Sequence, residues 1–162
     1  EGVDPVAWRR ELALEAGYDA VAPSVEASAK YGSYDVVIEA TGTAPVINEA
    51  FQAAGMLGRV VLLGSTRGVT EGVNFYRDVH KKGLEIMGAH DSIRASGTDY
   101  GTLFTTESDE ATALRLMEAG RITSAPLVSD IVSPDDAAAA YARLTARQEK
   151  LMTICIKWAD CD

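Results

Sequence analysis

The sequence predicts an α/β chain built on a doubly wound parallel sheet, and three observations carry that expectation. Apolar runs at 35–40, 59–63 and 84–87 are short and nearly continuous, as strands buried on both faces are. Stretches with helical periodicity separate them. Each run ends in small residues, namely Thr41-Gly42, Gly64-Ser65 and Gly88-Ala89 with His90 behind. In an open parallel sheet, ligands bind outside the carboxyl ends of the strands. Those three ends are therefore the first candidate site.

The elements follow in order. Asp4 can cap a first helix, with Pro5 at its first position and Gly17 as its stop. Val21-Ala22 is a short apolar patch that Pro23 ends. After the run 35–40 and its turn, a helix is expected from about Ala44 to Ala54, capped by Thr43 and closed by Gly55. The second buried strand, from Arg59 to Gly64, leads into the loop 66–73. Asn74 can cap a short helix that stops near Gly83, and Leu84 to Ala89 is the third strand. Residues 91–107, rich in Ser, Thr and Gly, read as a loop, and 109–119 as a helix ended by Gly120. Ser133-Pro134-Asp135-Asp136 is a strong helix start, with a cap, a proline and acids facing the positive end of the helix dipole. That helix should run to about Ala146, and Leu151 to Lys157 alternates as a last strand.

Composition narrows the function. The 162 residues suit one ordinary domain. With 47% hydrophobic and 24% charged residues, the chain is neither disordered nor fibrous. A net charge of -9 argues against nucleic-acid or anionic-membrane binding. Cys155 and Cys161 are too few for a disulfide scaffold or a four-cysteine zinc site. No apolar run approaches a membrane span and no leader pattern opens the chain, so a soluble cytoplasmic protein is the expectation.

The opening Gly2-Val3-Asp4 reads as a strand tail followed by an acid. In a dinucleotide-binding sheet, an acid there accepts hydrogen bonds from the adenosine ribose. The first strand and its Gly-x-Gly-x-x-Gly turn would then lie about 20 residues earlier. On this reading Glu1 is not a natural beginning, and a strand that needs two neighbours is left with an open ladder.

From Gly2 to about Trp158 the chain resembles the C-terminal half of a zinc-binding alcohol dehydrogenase of the medium-chain dehydrogenase/reductase superfamily, in the style of the threonine and polyol dehydrogenases. The resemblance rests on Val3-Asp4 with Arg9 to Ala13 and Gly17, on Tyr34 to Gly42, on Gly58 to Gly64, on Lys82 to Gly88, and on Ala119-Gly120-Arg121, Pro126-Leu127-Val128 and Asp136 to Leu144. It implies a partial Rossmann sheet over 1–95, a connecting loop and helix over 96–124, and a return segment over 125–162 that belongs to a GroES-like catalytic domain. It implies NAD as cofactor and a zinc whose ligands lie outside this chain. The chain itself would hold no catalytic residue and no metal ligand, and would be inactive alone. Its cofactor contacts would be Asp4, Arg9, Thr41, Gly42, Leu63, Gly64, Ser65, Gly88, Ala89 and His90. The implied partners are an alcohol or carbonyl substrate, a complementary N-terminal half, and a second copy paired along the edge 84–90 in a dimer or tetramer.

Plainer readings stand beside these. Asp4 can be a helix cap, Arg9 a surface charge paired with it, and the small strand ends packing devices. His80 reads as solvated beside Asp78, and Cys155 as a buried small hydrophobe. Two other functions remain open: a zinc-free NADPH quinone or enoyl reductase of the same superfamily, and a non-catalytic nucleotide or S-adenosylmethionine module. The carboxylate of Asp4 would repel a 2′-phosphate and so favours NAD.

Overall fold

The computed structural model describes residues 1–90, 105–146 and 150–158. Most of the expected loop 91–107, and Cys161, lie outside the described residues. The chain divides into two compact units, Glu1–Glu107 and Ser108–Asp162.

In the first unit the elements are β1 (Gly2–Val3), α1 (Ala7–Glu15), β2 (Val21–Ala22), β3 (Tyr34–Glu39), α2 (Ala44–Ala53), β4 (Ala54–Leu62), a π-helical turn (Tyr76–His80) and β5 (Glu85–Gly88). Every strand pairing is parallel: β1 with β2, and β3 with β4 with β5. The α/β class and the parallel order of the three apolar runs are as the sequence predicts. The sheet is divided, however, because no strand joins β1 to β3 among the described residues.

Helix α2 supplies the core. Its Ile47, Ala50 and Phe51 pack on Ala54 and Val60 of β4, flanked by Val37, Leu62, Val73, Val79 and Leu84. Burying side chains of this size is worth about 1.5–3 kcal/mol each, which fixes α2 against the sheet. The last carbonyls of a helix have no partner within it. Here the Lys82 ammonium donates to Phe51 O, Gln52 O and Ala54 O at 2.9, 3.0 and 2.7 Å. Burial pulls the Lys82 ammonium below the ordinary lysine value. Strand β4 starts at the next residue, so there is no loop between α2 and β4. The chain negotiates this with a register shift between Tyr34 and Val36 and with Leu57 at φ 60°, whose N–H donates to Lys82 O at 2.7 Å. Leu57 is 80% exposed.

Several boundaries differ from the sequence expectation. α1 begins at Ala7, because the Asp4 carboxylate takes the Val6 N–H at 2.7 Å and holds Pro5 in a turn ahead of the helix. α2 has Thr43 at its cap position, but the side chain makes no capping bond; the Thr43 N–H is itself taken by Thr41 Oγ1 at 3.0 Å. β4 begins at Ala54, five residues before the predicted strand. β3 is not buried on both faces: Val37 packs against α2, while Val36 and Ile38 on the opposite face are exposed, with no described element covering them. In the π-helical turn, Asn74 Oδ1 accepts from the Arg77 N–H at 2.9 Å. Asp78 is buried and pairs with Arg77, with Nε to Oδ1 at 2.5 Å and a second guanidinium nitrogen to Oδ2 at 2.7 Å. His80 stacks on Tyr76 instead, with ring centroids 5.8 Å apart.

The second unit contains all but the first two residues of α3 (Thr106–Glu118), with β6 (Val128–Val132), α4 (Ala137–Ala146) and β7 (Thr153–Ile156), and single 3₁₀ turns at Ala125–Leu127 and Pro134–Asp136. β6 and β7 pair in parallel. β6 escapes a sequence reading because its alternation is inverted. Ile131 faces out at 62% exposure while Asp130 sits half-buried, held by Arg143 at 2.7 Å. Cys155 corrects the expectation of a buried thiol: alternation along β7 turns Ile154 and Ile156 inward and leaves Cys155 exposed. Among the described residues no helix is long and apolar enough to cross a membrane.

Two measurements check these packing arguments. Lys82→Met should cost about 2 kcal/mol in urea unfolding, since charge-assisted bonds to buried carbonyls are lost; the neighbouring Lys81→Met should cost far less. The Asp78 carboxyl is held below the usual carboxylate range chiefly by its bond to Arg77. A depressed carboxyl contributes stability that is complete above its unfolded pKa and is lost as pH falls through its folded value. Asp78→Asn should therefore be less stable than the parent near neutrality, and the two unfolding curves should converge in acid below about pH 4.

Candidate functional site

Register brings the predicted strand ends together. Glu39 lies opposite Leu62, and Leu62 opposite Gly88. Past those pairs the ladder continues: Leu63 N and Gly64 N donate to Glu39 O at 2.9 and 2.8 Å, and Ala89 N to Leu62 O at 3.0 Å. Thr41, Gly42, Leu63, Gly64, Ser65, Gly88, Ala89 and His90 are thus gathered at the carboxyl ends of β3, β4 and β5.

The tightest point is where two turns touch through their backbones. A Cβ on Gly64 would lie 2.2 Å from Gly42 N and 2.8 Å from Glu39 Oε2. A Cβ on Gly42, which stands at φ 66°, would meet Ser65 O at 3.0 Å. Both glycines are therefore required by the packing of the turns themselves. Gly88 is different, since a Cβ there meets nothing within 4 Å.

Glu39 organises this contact and is a residue that sequence reasoning missed. It is 3% exposed. Its Oε1 accepts from Thr41 N at 2.7 Å, from Thr41 Oγ1, and from Gly42 N at 3.1 Å. Its Oε2 is buried without a partner. Charged residues are rarely buried unless bonded, so an acid closing the otherwise apolar run Val36-Val37-Ile38 was the available signal.

Two cavities flank the turns. One, of about 380 Å³, opens at the ends of β4 and β5; it is lined by Gly64, Ser65, Thr66, Arg67, Thr70 and His90 among others. The other, of about 410 Å³, is a slot between β1 and β3, lined by Val3, Pro5, Val25, Val36, Ile38 and Thr41 among others. The two strands start side by side there, where the Tyr34 hydroxyl donates to the Glu1 carboxylate.

Asp4 and Arg9 stand at the end of β1 and line neither cavity. Asp4 N donates to Ala22 O at 3.2 Å, which extends the β1–β2 ladder. The Asp4 Oδ2 lies 3.8 Å from an Arg9 guanidinium nitrogen, and Arg10 donates to the Asp4 carbonyl at 2.6 Å. The Arg9 guanidinium rests 5.4 Å from the Trp8 ring centre. Asp4 thus pairs with Arg9 as its plain reading expects, but it is not the helix cap: the cap position is Val6, whose N–H the Asp4 carboxylate takes in the turn ahead of α1.

The family is decided by sequence comparison. The family model described as zinc-binding dehydrogenase matches residues 2–119. The chain belongs to the zinc-binding dehydrogenase family. No curated protein matches it. Among solved structures, an Escherichia coli CFT073 protein described as a short chain alcohol dehydrogenase, complexed with NADH, is 19% identical with a TM-score of 0.75; 96% of this chain and 43% of that one are covered. A Sinorhizobium meliloti 1021 protein bound to NADP is 24% identical with a TM-score of 0.75, over 95% of this chain and 43% of that one. Galactitol-1-phosphate dehydrogenase from Escherichia coli is 18% identical with a TM-score of 0.71, over 93% and 45%. These likenesses show a shared Rossmann-type fold, and the chain spans less than half the length of the solved structures it matches. The family's zinc finds no seat here: among the described residues no group of three His, Cys, Asp or Glu side chains could hold a metal ion.

The backbone contact gives a direct check on this zinc-binding dehydrogenase domain. Gly64→Ala should destabilise the protein by roughly 2–4 kcal/mol, because the added methyl meets backbone that cannot yield. Gly88→Ala should change thermal unfolding little.

Proposed function

We propose that this chain is the cofactor-binding portion of an NAD-dependent alcohol dehydrogenase that transfers hydride between an alcohol or carbonyl substrate and the nicotinamide. The observation that carries the reading is the set of three parallel strand ends, packed backbone to backbone at Gly42 and Gly64, in a chain whose first strand closes on Asp4. The NADH-bound and NADP-bound structures of similar fold support a nicotinamide cofactor.

On this reading each residue has a defined task. Asp4 accepts from the adenosine ribose hydroxyls, and its charge disfavours a 2′-phosphate. Arg9, whose guanidinium lies 5.4 Å from the Trp8 ring centre, covers the adenosine side. Thr41 and Gly42 give close backbone approach, while Leu63, Gly64 and Ser65 flank the nicotinamide ribose. Gly88, Ala89 and His90 offer backbone groups to the carboxamide. When bound, the nicotinamide supplies the hydride chemistry; the chain's own part is binding and orientation. Among the described residues no side-chain set fits a zinc ion, so the chain's own part does not extend to holding one.

We read 1–95 as Rossmann, 96–124 as connection and 125–162 as the return to a catalytic domain. The open edges of β1 and β3, and the apolar slot between them, support a further strand completing the sheet, whether from the same polypeptide or a complementary chain. The exposed edge of β5 supports pairing with a second copy.

Fluorescence titration of the purified protein tests the cofactor. NADH should bind about tenfold tighter than NADPH, and Asp4→Ala should erase most of that gap. Tighter NADPH binding, or calorimetric binding of S-adenosylmethionine in place of either nucleotide, overturns the proposal.

A further inference from the structure

The 410 Å³ slot between β1 and β3 is bounded by two open strand edges. Main-chain groups point alternately to the two sides of a strand. Gly2 N and Asp4 N donate to Ala20 O and Ala22 O at 2.9 and 3.2 Å, so the main chain of Val3 faces the slot. The Glu39 carbonyl accepts from the end of β4, so the main chain of Val36 and Ile38 faces the slot from the other side. Helix α2 lines it as well. Its Ile47 and Phe51 belong to the core, while Val46, Glu49, Ala50 and Ala53 line the slot at helical spacing. The helix therefore covers β4 with one stripe and the slot with the adjoining one.

Three carboxylates line this largely apolar slot, those of Glu1, Glu39 and Glu49. Glu1 accepts from the Ala29 N–H and the Tyr34 hydroxyl. Glu39 binds its own turn through Oε1 and lays Oε2 against Gly64. Glu49 differs. It is half-buried beside Ala50 and Ala53, and among the described residues its carboxylate has no hydrogen-bond or ion-pair partner. A carboxylate drawn partly out of water beside apolar groups is costly until a cation or donor reaches it.

We propose that the slot takes one extended peptide strand, parallel to β3, whose branched apolar side chains rest on Val46, Ala50 and Ala53 and whose lysine or arginine pairs with Glu49. The proposal rests on the reading in which a further strand completes the sheet, and adds what that strand must carry. Its sense follows from the ladders it would join, all of them parallel. The small side chains of Ala50 and Ala53 leave room for branched ones opposite. A long cationic side chain lays its stem along the apolar stripe and brings its charge to the half-buried acid. An acid at the same point of the strand is repelled, so Glu49 selects among apolar segments that the rest of the slot would accept alike.

Titration of the purified protein with two synthetic peptides, read by calorimetry and amide NMR, tests it. Both are short, rich in valine and isoleucine and carried on a soluble tail; one has a central lysine and the other a central glutamate. The lysine peptide should bind about tenfold tighter than the glutamate peptide. The amides of Val3, Val36 and Ile38 should shift and gain protection from hydrogen exchange. Glu49→Gln should erase most of the preference. Glu49→Lys should reverse it, a rescue of the glutamate peptide that loss of fold cannot imitate. Equal binding of the two peptides, an unchanged preference in Glu49→Gln, or shifts confined to the edge of β5 overturn the proposal. Self-association that protects the same three amides and that neither peptide displaces gives the slot to a second copy and overturns it too. Failure of both peptides to bind a protein that does bind NADH brings down this inference and leaves the cofactor reading standing. The lysine preference in a protein that ignores NADH does the reverse.

Discussion

Everything at the carboxyl edge of the sheet depends on one contact in which a side chain is missing. Gly64 lets the end of β4 lie against Gly42 N and the Glu39 carboxylate, closer than any methyl would permit. Glu39 then binds both backbone N–H groups of its own turn. That turn stays tight, the ladder runs on through Leu63 and Gly64, and the two cavities on either side keep their walls. A buried carboxylate of this kind is tolerated because its bonds offset the cost of leaving water. The unpartnered Oε2 marks where the arrangement is least satisfied.

Lys82 plays the matching role at the other end. It joins the C-terminus of α2 to the segment ahead of β5 by three bonds to main-chain oxygen. Helix, strand and returning loop are thereby tied at the bottom, as Glu39 ties the turns at the top. Among the described residues the first unit has a small core, a cluster of five buried apolar side chains with a flanking ring. In such a unit, polar ties of this strength are a large share of what holds the parts in place.

The parallel trio was legible because its pattern is local. Three apolar runs, each closed by glycine and spaced by helix-length segments, leave few topologies open. What stayed hidden was whatever depends on neighbours. The inverted alternation of β6 makes sense only once Arg143 reaches Asp130. Cys155 faces out because register, not hydrophobicity, decides its side of β7. A helix soon after Asp4 reads from the sequence, but the two-residue delay before α1 and the move of its cap to Val6 need the turn geometry around Pro5. Glu39 carried a weak signal at a strand end, and only its burial gives it meaning.

Leu57 leaves a reserve for protein engineering. A branched residue in the left-handed region sacrifices roughly 1–2 kcal/mol of backbone energy. At 80% exposure it recovers almost none of that through burial. Glycine would relieve the torsional penalty, giving back part of the gain as extra disorder in the unfolded chain. The corner where α2 runs straight into β4 is thus a position at which the fold can be hardened far from the carboxyl edge of the sheet, without disturbing the turns there.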